Sequence, residues 1–83
     1  MCVIQILLFG ISREIFGKNS LSIDITEYKD FTVDRLKSLL EKDQPGLKGL
    51  GSYLIAVNNE YADPGYLIQE KDEIALIPPV SGG

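Results

Sequence analysis

The residues of this chain best suited to chemistry are its last six, Pro78-Pro79-Val80-Ser81-Gly82-Gly83. Prolines cannot continue a hydrogen-bonded strand and favour a stiff, extended arm. The two glycines that follow have no Cβ, so a terminal carboxylate on Gly83 fits a narrow channel that any side chain would obstruct. The segment reads as a delivered end group, with Pro78 and Pro79 projecting the arm and Gly82 and Gly83 ending it without side chains. The remaining chain offers little competing chemistry. It has no histidine, the usual near-neutral acid, base and metal ligand. No glycine run followed by Lys and Ser/Thr forms a phosphate loop, so any nucleotide the protein needs must be held by a partner. The single cysteine, Cys2, excludes an internal disulfide and leaves too few thiols for a zinc or iron–sulfur centre. With no His beside it and no CxxC pair, it reads as a half-buried apolar residue. Asp72-Glu73 reads as turn chemistry. The chain itself is expected to bind neither metal nor cofactor.

Elements that position such an arm follow from periodicity. Residues 3–9 are β-branched and aromatic-rich and predict a strand. Ser12 is placed to cap a short helix running to Phe16, with Gly17 as its stop. Leu21, Ile23 and Ile25 alternate with Ser22, Asp24 and Thr26, the period of a half-buried strand pairing with the first. From Thr32 to Lys42 the pattern is helical. Thr32 is the N-cap, Phe31 and Leu36 form a hydrophobic staple, and Val33, Leu36, Leu39 and Leu40 share a face that ends at Pro45-Gly46. Tyr53 to Val57 predicts a third strand, Asn58-Asn59 a tight turn, and Glu73 to Ile77 the last strand, stopped by Pro78-Pro79. With one strong helix and one sheet, the order predicts an α+β grasp in which the first strand sits near the middle, the last lies beside it, and the helix crosses one face. One helix cannot cover both faces. Alternation puts Ile4, Ile6 and Leu8 on one side of the first strand and Leu7 and Phe9 on the other, so Phe9 and Ile77 are expected in an exposed apolar patch.

Eighty-three residues form one small domain, divided here into a body, residues 1–77, and a tail, residues 78–83. Charges cancel over residues 1–59; the net −4 arises from Glu60, Asp63, Glu70, Asp72 and Glu73 against Lys71. That imbalance disfavours nucleic acid, which requires a positive patch, and favours a basic protein partner docking on the C-terminal third. No apolar run approaches a membrane span and no targeting leader is evident, so the cytoplasm is the expected compartment, without membrane attachment.

Glu73-Ile74-Ala75-Leu76-Ile77-Pro78-Pro79-Val80-Ser81-Gly82-Gly83 resembles the C-terminal signature of the small subunits of molybdopterin synthase, a family of ubiquitin-like sulfur carriers. Ile6-Leu7-Leu8-Phe9 followed by Arg13-Glu14 and Gly17 is similar to that family's start, and Ala56-Val57-Asn58-Asn59-Glu60-Tyr61 to its central hairpin. The resemblance implies a β-grasp (ubiquitin-like) fold and a carrier that is a recyclable cosubstrate rather than a catalyst alone. Its carboxylate on Gly83 would be adenylated by an E1-like adenylyltransferase using ATP, then converted to a thiocarboxylate by a persulfide sulfur donor. Sulfur would pass to cyclic pyranopterin monophosphate in the large subunit of molybdopterin synthase, within a heterotetramer. The resemblance places Pro78, Pro79, Val80, Ser81 and Gly82 in the inserted tail, with the two prolines aiming the arm, Gly82 giving clearance and Gly83 as the covalent participant, and Phe9, Tyr61 and Ile77 at the partner interface. Sulfur carriage for thiazole synthesis or tRNA thiolation and attachment to protein lysines as a modifier remain alternatives. Two positions depart from the family pattern. Gly10 replaces a common alanine and is expected only to loosen a turn. Lys71 replaces a common glycine and would be strained if its turn required positive φ.

Overall fold

The computed structural model describes residues 2–50 and 52–79. Strand β1 (Val3–Leu8) pairs antiparallel with β2 (Ser20–Asp24), in a register that sets Val3 opposite Asp24 and Leu7 opposite Ser20. Between them lies the short helix α1 (Ile11–Phe16). Gly17 ends it with φ 69°, and the N–H groups of Gly17 and Lys18 both close onto the Arg13 carbonyl, at 2.8 and 3.2 Å. This is the left-handed stop that glycine adopts without strain. The predicted start of α1 is corrected. Its N-cap is Gly10, with no side-chain cap bond, and Ser12 lies fully buried inside the first turn. The Ser12 hydroxyl is engaged with the backbone of Phe9 instead of the helix's own amides.

The main helix α2 (Val33–Asp43) forms as its signals predict. Thr32 is extended and its hydroxyl oxygen accepts the Arg35 N–H at 3.2 Å. Phe31 and Leu36 are both buried, as a staple requires. Two further amides of the first turn find loop carbonyls: Val33 donates to Tyr66 and Asp34 to Pro64, at 3.0 and 2.9 Å. Three N–H groups left open by helix geometry are thereby satisfied. Val33, Leu36 and Leu40 are buried and Leu39 packs against the same core. Past Gln44 the chain tightens into a 3₁₀ helix, Pro45–Leu50, which buries Leu47.

Strand β3 (Leu54–Val57) turns at Asn58-Asn59 into the two-residue strand β4 (Glu60–Tyr61). Both asparagines have positive φ, 53° and 70°, the twist that a two-residue hairpin needs and that Asn tolerates. The segment before the last strand makes one isolated bridge, Leu67 to Thr32, and buries Ile68. Lys71 is absent from the positive-φ positions, and its turn closes through the Asp72 N–H to the Gln69 carbonyl at 3.1 Å. The strain considered for Lys71 therefore does not arise.

Strand β5 (Glu73–Ile77) enters between β1, to which it is parallel, and β3, to which it is antiparallel. The sheet order is β2-β1-β5-β3-β4, a mixed sheet with α2 across one face. This is the α+β grasp expected from the order of elements, and the β-grasp, ubiquitin-like architecture that the resemblance implies. Ile4, Ile6, Leu8, Ile55, Val57, Ile74 and Leu76 point into one core with α2. Among the described residues, no helix is long and apolar enough to cross a membrane.

Candidate docking face and tail root

The two-residue period that fills the core leaves its complement on the other side of the sheet. Leu7 is opposite Ala75, Ala75 is opposite Ala56, and Ile77 is opposite Leu54, so these five share the face away from α2. Tyr61, paired with Ala56, extends it to the edge. Phe9, Tyr61 and Ile77, the three residues expected at a partner interface, line one shallow depression of about 360 Å³ together with Leu7, Ala56 and Ala75. Phe9 is 41% exposed, Tyr61 68%, and Ile77 is half-buried. Exposed aromatic and aliphatic side chains converging on one concave patch are the composition of an interface core. Leu54, 47% exposed beside Ile77, belongs to the same face. Its signal was the alternation of Leu54 and Ala56 with Ile55 and Val57.

Phe9 is held from two sides. Its N–H donates to the Ser12 hydroxyl oxygen at 3.0 Å, and that hydroxyl donates back to the Phe9 carbonyl. The Arg13 guanidinium carbon lies 5.9 Å from the Phe9 ring centroid, while its Nε donates to the Leu8 carbonyl at 3.0 Å. A cation over the ring face is attracted to it. The buried serine thus ties down the Phe9 backbone, while the arginine lies over its ring. Sequence periodicity alone did not reveal this, because the contacts run from the first turn of α1 back to the end of β1.

Strand β5 ends at Ile77, and Pro78 and Pro79 follow it outside the sheet's hydrogen-bonded ladder. A second depression, of about 670 Å³, lies at this root and is lined by Phe9, Gly10, Ile11, Leu50, Ile77 and Pro78. The expectation that Gly10 merely loosens a turn is corrected. Its φ of 56° and ψ of −136° suit glycine alone, and an added Cβ would stand 3.1 Å from Pro78 Cγ. Val80, Ser81, Gly82 and Gly83, assigned to the inserted tail and its reactive end, lie outside the described residues.

The other end of the sheet is polar. Glu73 borders the apolar depression, and Ile77 is four residues further along the strand, about 13 Å away at ~3.3 Å per residue. Asp72 is the hub of a turn network, accepting from Gln69 N–H at 2.8 Å, Asn58 Nδ2 at 3.0 Å and the Tyr66 hydroxyl at 3.0 Å. Burial is the largest single influence on its carboxyl and acts upward, but these hydrogen bonds together outweigh it and hold the group below its ordinary value. The same contact raises the Tyr66 hydroxyl. Asn58 also accepts the Glu73 N–H at 3.0 Å, which joins the β3–β4 turn to the start of β5. A carboxylate saturated with donors and held ionised is a structural hub, not a proton shuttle near neutrality. Among the described residues, no group of three or more His, Cys, Asp or Glu is placed to hold a metal ion.

The described surface therefore carries an exposed apolar depression beside the end of β5. The family model described as the ThiS family matches residues 6–83. A relative from Caenorhabditis elegans, named molybdopterin synthase sulfur carrier subunit, is 38% identical over the full length of both chains. Among solved structures, small archaeal modifier protein 1 (SAMP1) from Haloferax volcanii superposes with a TM-score of 0.80 at 28% identity, covering 98% of this chain and 99% of that one. The complex of subunits 1 and 2 of molybdopterin-converting factor from Helicobacter pylori contains a chain that matches at a TM-score of 0.64 and 29% identity, over 98% of this chain and 99% of that one. Matched by the family model over nearly all of its length, the chain belongs to the ThiS family.

Proposed function

We propose that this protein is the sulfur carrier subunit of a molybdopterin synthase. The observation that carries the reading is full-length similarity to subunits of that name, joined to an open apolar face that runs up to the root of a Gly-Gly tail. The Helicobacter pylori complex adds that a related chain is found bound to a second subunit of molybdopterin-converting factor.

In this mechanism the large synthase subunit covers Phe9, Ile77 and Tyr61 while Pro78 to Gly83 enter its active site. A carboxylate is a poor acyl donor, so Gly83 first attacks the α-phosphorus of ATP on an E1-like adenylyltransferase, releasing pyrophosphate and forming an acyl-adenylate. The terminal sulfur of a persulfide donor displaces AMP. Reduction of the remaining S–S bond by a thiol then leaves the Gly83 thiocarboxylate. Its sulfur attacks cyclic pyranopterin monophosphate, water hydrolyses the resulting thioester to Gly83 so that the sulfur stays on the precursor, and two such donations build the dithiolene. The large subunit supplies proton transfer, and each spent carrier returns as a carboxylate. The acidic residues around Glu73 act as rim charges that steer basic partners.

A second reading, attachment to protein lysines through Gly83, is favoured by the structural likeness to a small archaeal modifier protein. Intact-mass analysis separates the two. Incubation with the activating enzyme, ATP and a persulfide donor is expected to replace one terminal oxygen by sulfur, and the product is expected to form dithiolene with precursor and large subunit. Deletion of Gly83 is expected to abolish that transfer without unfolding the chain. A stable isopeptide with no thiocarboxylate establishes the modifier instead, and dithiolene formation by the truncated chain refutes the carrier mechanism.

A further inference from the structure

We propose that a notch lined by Tyr61 and Tyr66 takes an arginine side chain of the protein that docks over the apolar face. The two tyrosines, 68% and 38% exposed, line a depression of about 490 Å³ together with Glu60 and Asp63. None of the residues lining it is basic. Tyr61 also lines the apolar depression, so the notch continues that face past the edge strand β4. A partner that covers Tyr61 therefore sets its rim beside Glu60 and Asp63, where a positive side chain finds its complement.

One wall of the notch is fixed before anything binds. The Tyr66 hydroxyl donates to Asp72 at 3.0 Å, its N–H donates to the Asp63 carbonyl at 3.0 Å, and its carbonyl accepts the Val33 N–H at 3.0 Å. Pro64, between Asp63 and Tyr66, is tied to the start of α2 by the Asp34 N–H at 2.9 Å. A phenol that donates to a carboxylate gains electron density in its ring, and an electron-rich ring face attracts a cation. A guanidinium uses both parts of the site, stacking its plane on a ring while its N–H groups reach carboxylate oxygens. An ammonium brings only a point charge, so arginine is the better fit. The depression beside α2 lined by Tyr28 and Phe31 is the contrast. It carries Arg35 and Lys42 against Asp34 alone, so an incoming cation meets an excess of like charge. The choice of docking protein rests on the sulfur-carrier reading; the fit of a guanidinium to the notch does not.

The test begins with the free, full-length chain. It is titrated by NMR with N-acetylarginine methylamide and, at matched ionic strength, with the uncharged near-isostere N-acetylcitrulline methylamide. The arginine probe is expected to shift the ring protons of Tyr61 and Tyr66 and to leave those of Tyr28 in place, and the citrulline probe to shift none of them. Equal shifts with both probes, or none with arginine, overturn the proposal whatever the protein does. The second arm measures Kd for the large synthase subunit at low and at high salt. Tyr66→Leu and the double variant Glu60→Gln/Asp63→Asn are each expected to raise Kd about 10-fold at low salt, and the double variant to flatten the salt dependence. Tyr28→Leu removes a similarly exposed tyrosine, 42%, and is expected to stay within about 2-fold of wild type. A wild-type Kd in either notch variant, or an equal loss in Tyr28→Leu, refutes the docking role. Should Tyr66→Leu fail to fold, the double variant decides, because both carboxylates are exposed. Should the wild-type chain not bind the large subunit, the carrier reading falls and the titration still decides the notch.

Discussion

Phe9→Ala tests the docking face most directly. The residue is 41% exposed. Taking about 200 Å² for a full phenylalanine, ~80 Å² remains for a partner to cover. At ~25 cal/mol/Å² that is about 2 kcal/mol, or roughly a 30-fold change in Kd. Alanine retains a little of the contact, so a loss of about 10- to 30-fold is expected, read by calorimetry between the full chain and the large synthase subunit. Leu67→Ala is the matched control. Leu67 is 45% exposed, but its bridge to Thr32 places it away from the depression. A general loss of surface hydrophobicity would weaken both variants alike, whereas a defined face predicts that only Phe9→Ala does so. Ile77→Asp, which puts a charge among Leu7, Ala75 and Phe9, is expected to weaken binding at least as much. Thermal melts verify that each variant is folded. Unchanged affinity in both Phe9→Ala and Ile77→Asp would refute the proposed interface.

Two further predictions concern the supports of that face. Ser12→Ala leaves the Phe9 N–H without its buried acceptor. A loss of about 1–3 kcal/mol is expected, seen as a Tm drop of at least ~4 °C; an unchanged melt would show that the serine is dispensable. For Asp72 the folded-state carboxyl lies below its unfolded value of 3.8. Its contribution is therefore fully present above pH 3.8 and is lost as pH falls through the lower, folded value. Urea midpoints measured from pH 5 to pH 2 are expected to fall more gently in Asp72→Asn than in the wild type, with a residual slope from Asp24, whose carboxyl Thr26 likewise holds down. Parallel curves would remove Asp72 from the acid response.

What could be read from the amino acids was what local physics decides. Alternation on β1 and β5 separated Ile6 and Leu76 from Leu7 and Ile77, and Thr32 with its staple marked the start of α2. Asn58-Asn59 announced a turn because few other residues accept two consecutive positive φ values. The features that escaped depend on contacts between distant segments. Ser12 is a good capping residue by type, yet its buried hydroxyl serves Phe9. Gly10 acquires its meaning from Pro78, which is 68 positions away in the chain. The 3₁₀ turn at Pro45–Leu50 has no periodicity to detect, and only the burial of Leu47 explains why it folds down. Asp72 read as a turn residue, but its convergence with Asn58 and Tyr66 is a tertiary fact.

The position of the tail is set by the same packing that holds the fold together. On β5, Ile74 and Leu76 fill the core, Ala75 and Ile77 face outward, and Pro78 starts the arm. Parallel pairing fixes this strand with Ile6 opposite Ile74 and Leu8 opposite Leu76. A slip by one residue would drive Ala75 and Ile77 inward, expose Ile74 and Leu76, and shift Pro78 by about 3.3 Å along the strand. Ile6, Leu8, Ile74 and Leu76 are all essentially inaccessible to solvent, so such a slip is opposed on both strands at once. The energy that excludes water from one face of the sheet thereby determines where, relative to Phe9 on the other face, the arm begins. The register of the core strands thus also fixes where Pro78 leaves the sheet.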